Sequence, residues 1–149
     1  MTLTATPSTG STFSGWSGGG CFGTGTCTVT LGAATTVTLT STLTFTDDPL
    51  LVRSTVIKVV HVTELRTAIN SARTARGLAA YAWTDPTLSP GSKLVTAVHL
   101  IDLRTALNQA YQAALKALPT YTDPTLVAGQ TTVKAIHLNE LRAAVRALQ

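Results

Sequence analysis

The sequence predicts an α+β protein, a small antiparallel β module followed by an all-α domain of three helical repeat units. Two observations carry that expectation. Residues 1–46 contain sixteen threonines and no charged side chain, and the threonines alternate with apolar residues in the two-residue period of half-buried strands. Further on, one phrase occurs three times: VHVTELRTAIN from Val60, VHLIDLRTALN from Val98 and IHLNELRAAVR from Ile136. The composition changes abruptly near Phe45, as at a domain boundary. The expected division is a Thr-rich β module over 1–45 and a helical domain over 46–149, with units 46–82, 83–120 and 121–149.

The β elements follow in order. TLTAT sets Leu3 and Ala5 against Thr2, Thr4 and Thr6, and PSTG reads as a turn. STFSGW is a second strand, leading to a Gly-rich tip. TCTVTL sets Cys27, Val29 and Leu31 on one face, and TTVTLTSTLTF sets Val37, Leu39, Leu43 and Phe45 on one face with threonines on the other. β-branched residues in strict alternation favour a pleated, half-buried surface. One face then packs inward and the other is an uncharged ladder of hydroxyls.

Cys21 and Cys27 are the only cysteines, enclosing five residues in CFGTGTC. The spacing is wrong for the CxxC arms of zinc or redox sites. It suits a disulfide across a tight Gly-rich hairpin, which places the chain in an oxidising compartment. A pair of free cytosolic thiols is the alternative.

Residues 2–45 resemble the divergent internalin-type B-repeat of bacterial surface proteins. The resemblance rests on LTATP, on GSTFSGWSG, on the Cys-containing tip and on the CTVT strand, in that order. It implies a small extracellular β fold used for spacing or adhesion. The family's first strand has no counterpart before Thr2, which implies a sheet with an open edge or one completed from outside. These strands offer no charge to blunt an edge, so self-association by β-edge, donor-strand-like pairing is expected. Removal of that strand in a fragment is the competing explanation.

The triplicate phrase belongs to a longer repeat. His61, His99 and His137 recur every 38 residues, and at matching offsets stand Phe45, Trp83 and Tyr121, each followed by Thr-Asp. Self-similarity at such a period identifies a repeat architecture. Each unit reads as aromatic-Thr-Asp, a Pro-containing turn and one long helix. Asp85 is expected to cap a short helical turn with Pro86 at its first position, and Gly91 to permit the reversal. The long helices are expected over about 56–76, stopped at Gly77; over about 94–118, stopped by Pro119; and from about 132 to the chain end.

On a helical wheel Ile57, His61, Leu65, Ala68 and Ala72 share one face, with Glu64 beside them and Arg66 nearly opposite, toward water. The repeat residues His61, Glu64, Arg66, His99, Asp102, Arg104, His137, Glu140 and Arg142 are thus expected to be structural. The imidazole bonds a backbone carbonyl, the preceding Thr-Asp turn or the acid three residues on, which is its neighbour on the helix. Two other roles use the same residues. A metal site would need two such helices to converge on few carboxylates, and a His–acid catalytic site has no nucleophile recurring with it. No metal, cofactor or catalytic residue is therefore assigned. Trp83, Tyr121, Asp85 and Asp123 are candidate glycan contacts, against a packing role at each repeat start. The segments IKVVHVTELRTAI, VTAVHLIDLRTAL and VKAIHLNELRAAV also resemble repeats of the form IKAxHxxELRxAI at the ends of large secreted bacterial proteins. That resemblance implies a surface context and carries no activity.

The net charge is +4, with eleven Lys and Arg and charged residues at 12%. The cations are spread singly along the helices without an aromatic platform, so no nucleic-acid footprint is expected. No run of about 18 apolar residues reads as a membrane span, and no signal peptide is legible at the amino terminus. There is no Asn-x-Ser/Thr sequon, and O-glycans on the threonine face are a further expectation. The function expected is that of a non-enzymatic extracellular building or spacer unit of a bacterial surface array or fibre. A glycan or cell-wall binding module is the first alternative, and a His–acid metal-dependent enzyme the second.

Overall fold

The computed structural model describes residues 1–7, 10–30, 32, 34–91 and 94–148. Ser8 and Thr9 of the expected turn, Leu31 of the expected third strand and Gln149 of the third helix lie outside them. The chain is α+β and divides into two compact units, Met1–Thr44 and Phe45–Gln149.

In the first unit β1 (Thr2–Leu3) pairs antiparallel with β3 (Cys27–Thr28), and β2 (Ser11–Ser17) pairs antiparallel with β4 (Thr38–Leu43). The strands are shorter than the alternation predicts. Trp16, Cys21, Cys27 and Val29 form the core, with Leu3, Ala5, Phe13 and Val37 packed against it. Phe13 and Trp16 meet edge to face at 5.1 Å between ring centroids, an arrangement that adds to their area burial. The Cys21–Cys27 disulfide is formed, with Cα atoms 5.4 Å apart. It closes the Gly-rich tip, which Trp16 holds from the side: its backbone N–H donates to the Gly23 carbonyl at 2.9 Å and its indole N–H to the Gly25 carbonyl at 2.7 Å. Gly18 is required by this geometry. Its φ is +83° and a Cβ there would lie 2.6 Å from the Thr36 carbonyl oxygen, closer than any side chain tolerates.

The second unit holds α1 (Val59–Thr74), α2 (Ala97–Ala113) and α3 (Ala135–Arg146), each packed against both of the others. The 38-residue period reappears in the core. Val62, Leu100 and Leu138 are equivalent and fully buried, as are Leu65, Leu103 and Leu141, and Ile69, Leu107 and Val145. The units therefore close on one another as a three-helix ring, not as an open stack.

The helices are shorter at both ends than expected, and α2 stops before the expected Pro119. α1 ends at Gly77, whose φ is +73°; the Leu78 N–H reaches the Arg73 carbonyl, the six-to-one bond of a Schellman motif. The chain leaves α2 the same way four residues before Pro119. Leu115 takes φ +53° and the Lys116 N–H bonds the Tyr111 carbonyl. Gly91 and Gly129 have φ near +77°, as expected of a reversal, and the equivalent first-unit position is filled by Arg53 at +63°.

Candidate functional site

Two features stand out, one in each unit. In the helical unit every copy of the repeat phrase clasps an aromatic-Thr-Asp turn. His61, His99 and His137 occupy the third position of their helices and are fully or almost fully buried. Each Nδ1 accepts the backbone N–H of the residue before the helix: Lys58 at 3.1 Å, Thr96 at 3.0 Å and Lys134 at 3.3 Å. This is the work that Glu or Gln performs in a capping box. Because Nδ1 accepts, the proton of the neutral ring sits on Nε2. Nε2 donates to the carboxylate of the unit's own turn, Asp47 at 3.1 Å, Asp85 at 3.0 Å and Asp123 at 2.9 Å.

Of the three partners expected for the imidazole, the preceding Thr-Asp turn is the one it takes, and the acid three residues on does not pair with it. Glu64 accepts from the backbone N–H and hydroxyl of Thr46, Asp102 from those of Thr84, and Glu140 from those of Thr122. Histidine and acid take adjacent residues of the same turn, so each Thr-Asp pair is held twice by its own helix. Asp85 is accordingly a partner of His99, and no helical turn starts at it. Asp47 and Asp123 adopt φ of +51° and +39°, a region that Asp tolerates better than most residues.

Arg66, Arg104 and Arg142 face inward, not toward water; their exposures are 6%, 6% and 1%. The wheel omits what lies on that flank, which is the turn of the neighbouring unit. Arg66 Nη1 donates to the Asp85 carbonyl at 2.7 Å and its guanidinium lies 4.9 Å from the centroid of Trp83. Arg104 does the same to Asp123, at 2.8 Å, and to Tyr121, at 4.3 Å. Arg142 returns to the first unit, donating to the carbonyls of Asp47 at 3.1 Å and Thr46 at 2.8 Å over the ring of Phe45 at 5.0 Å. Burial pushes all three guanidinium groups below their ordinary pKa, and nearby acids oppose that shift. A guanidinium ordinarily ionises so high that all three remain charged. Burial raises the Tyr121 phenol to about 12, so it stays neutral and donates to Asn108 Oδ1 at 3.0 Å.

The candidate glycan residues are thus occupied within the unit. Trp83 and Tyr121 are half-buried beneath arginines, and the carboxylates of Asp85 and Asp123 are engaged by histidines. Among the described residues no group of three or more His, Cys, Asp or Glu side chains converges as metal ligands would, and no helix is long and apolar enough to cross a membrane.

The clasp has a consequence for acid stability. Hydrogen bonds from Lys58 and then His61 hold the Asp47 carboxyl below its ordinary 3.8, and Lys134 and then His137 do so for Asp123. A depressed folded-state value means the unfolded chain binds the proton more readily. The stabilisation is present above the ordinary value and is lost as pH falls through the folded one. Denaturant melts between about pH 5 and pH 2 are expected to show wild type losing stability faster below pH 4 than the Asp47→Asn/Asp123→Asn double variant. Asn keeps an acceptor for Nε2 and tolerates positive φ, so parallel acid limbs would show that these carboxylates are not held by the clasp.

The second feature is the outer edge of β4. Thr38, Leu39, Thr40, Ser41 and Thr42 are all exposed, Leu39 at 48% where the alternation predicts it inward. On one side the strand is registered to β2, with Ser11 opposite Leu43 and Ser17 opposite Thr38. Among the described residues no strand pairs with its other side. Among the described residues the outer side of β4 is thus an open edge that carries no charge.

No protein-family model, curated protein or solved structure matches the chain.

Proposed function

We propose that the chain is a non-enzymatic structural module of a bacterial surface or secreted assembly, a building or spacer unit that associates through its β edge. The observation that carries this reading is the outer edge of β4, five successive exposed residues without a charge. Natural edge strands are blunted by Lys, Pro, bulges or a covering element, because unpaired N–H and C=O groups recruit other strands. Here the bulge lies in β2, between Phe13 and Gly15, and not in β4.

Three further observations support the reading. The Cys21–Cys27 bridge suits an oxidising compartment. The resemblance of residues 2–45 to B-repeats and of the triplicate phrase to repeats of secreted proteins gives a surface context. In the helical unit both nitrogens of each repeat imidazole are engaged by backbone and carboxylate, which favours a packing role over acid–base chemistry.

The test is charge on the edge. Sedimentation and native mass spectrometry of concentrated protein are expected to show associated species, dimers or larger, for wild type and monomers for Thr38→Lys/Thr40→Lys. Both threonines are exposed, so the fold is expected to survive, as Trp16 fluorescence read in a Trp83→Phe background will report. Uniform wild-type monomers, or assemblies indifferent to the two lysines, would refute edge pairing.

A further inference from the structure

We infer that the partner of the β4 edge is the β4 strand of a second copy, paired antiparallel about a two-fold axis through Thr40. The inference rests on the edge-pairing reading above and names the partner that the reading leaves open.

β4 reads TLTSTL from Thr38 to Leu43, and its exposed part is nearly symmetric about Thr40. Two antiparallel copies centred there place Thr40 opposite Thr40, Thr38 opposite Thr42 and Leu39 opposite Ser41. Thr38, Thr40 and Thr42 share one face, because side chains alternate along a strand. That face would then consist of Thr–Thr pairs alone, a cross-strand combination that stabilises antiparallel ladders. No register of this kind brings like charges together, since residues 1–46 contain none.

Among the described residues β2 and β4 form a sheet of two strands, and two-stranded ribbons are marginal unless more strands or a packed layer join them. Two-fold pairing at β4 yields a four-stranded antiparallel sheet in the order β2, β4, β4, β2. The outer strand on each side is then β2. Its own far edge is partly occupied, because the Trp16 N–H already donates to the Gly23 carbonyl and Trp16 bridges Gly23. The pairing is isologous and closes on itself, so this contact makes a dimer and does not by itself propagate a fibre.

The test uses charges that oppose themselves only under two-fold symmetry. In Thr40→Lys and in Thr40→Glu, each variant faces its own charge across the axis, whereas a mixture offers Lys opposite Glu. One variant is labelled with 15N, and native mass spectrometry and sedimentation count the homodimers and the mixed dimer. The expected result is that each variant alone associates more weakly than wild type, and that the mixed dimer is favoured over either homodimer by roughly ten-fold. Association lost in both variants and not recovered on mixing would leave edge pairing standing but overturn the two-fold β4 partner. Association unchanged in both variants, or absent from wild type, would overturn this inference together with the reading it rests on.

Discussion

A chain ended at Thr120 is expected to lose the helical fold altogether, and not merely its last third. In an open repeat array each unit touches only its neighbours, so removing an end costs one interface and the remainder stays folded. Here α1 packs against α3 as well as α2. Residues 121–149 supply Leu138, Leu141, Val145 and Leu148 to the core, all at most 2% exposed. At about 1.5–3 kcal/mol for each large apolar side chain, their loss removes roughly 6–12 kcal/mol. The whole stability of an ordinary domain is only about 5–15 kcal/mol. Thr46, Asp47 and Leu50 would also lose Arg142 and Asn139, which now bond their backbone. Far-UV circular dichroism of the shortened chain should therefore show little helix and no cooperative melt. A fragment spanning 121–149 added in trans should restore both. A shortened chain that still melts cooperatively within a few degrees of wild type would mean that the units stack independently.

The ring explains which parts of the unit were legible in the sequence. The 38-residue period and the apolar stripe through Leu65, Leu103 and Leu141 locate the helices, because periodicity reports a face that is buried against anything. They do not say against what. The wheel alone sends Arg66 to water, since it lies away from the stripe. In a ring that flank meets the next unit's turn, a second environment that a single helix cannot reveal. A signal was present. An arginine and an aromatic ring recur at one fixed offset, Arg66 with Trp83 and Arg104 with Tyr121, and only a ring gives Arg142 the same partner, in Phe45. The histidines illustrate a different gap. Neighbourhood on the helix pairs His61 with Glu64, yet both reach back to Thr46-Asp47, because unpaired turn and helix-start N–H groups have greater need of them.

The β unit was less legible for a related reason. Alternation marks which residues can lie in strands, but pairing decides how far each strand extends. The long TTVTLTSTLTF run predicts Leu39 and Phe45 on one inward face. In the structure β4 covers only Thr38–Leu43, Leu39 is exposed, and Phe45 belongs to the helical unit beneath Arg142 and Arg146. Nine apolar side chains on three alternating stretches exceed what two short ribbons can cover. The disulfide, by contrast, is the bridge that the spacing of CFGTGTC suits, although the flanking strands β2 and β3 do not pair with each other.

Replacing Arg142 by Met is expected to destabilise the helical unit more than the same change at Arg66 or Arg104. The three arginines occupy one position of the repeat, but their junctions differ. The first unit is tied covalently to the second and the second to the third, so those turns remain near their arginines whatever the side chains do. The third unit has no such tie to the first. Its contacts must offset the entropy of bringing the ends of the ring together, and the side chains there are correspondingly richer. Arg142 bonds two carbonyls where Arg66 and Arg104 each bond one. Asn139 holds the backbone of Leu50 through both its N–H and its carbonyl, at 3.0 and 2.9 Å, where the equivalent residues are Thr63 and Ile101. Arg146 pairs with Asp48 and also lies over the Phe45 ring, at 4.9 Å from its centroid, where the equivalents are Asn70 and Asn108. Met preserves most of the volume, so the change removes the two charge-assisted bonds and leaves Asp48 and Glu64, at 3.6 and 4.0 Å, without the guanidinium. Breaking a buried charged contact from one side costs about 3–5 kcal/mol, which lowers Tm by roughly 12–20 °C in a domain near 100 residues. Arg66→Met and Arg104→Met should cost about half as much, since each forfeits one such bond, worth about 1.5–3 kcal/mol. Lys at 142 should recover little, because a single ammonium cannot span both carbonyls while lying flat on a ring. Thermal melts of the four variants decide the matter: equal losses at the three sites would show that the closing junction is not special, and a neutral Arg142→Met would show that the ring is held by its apolar core alone.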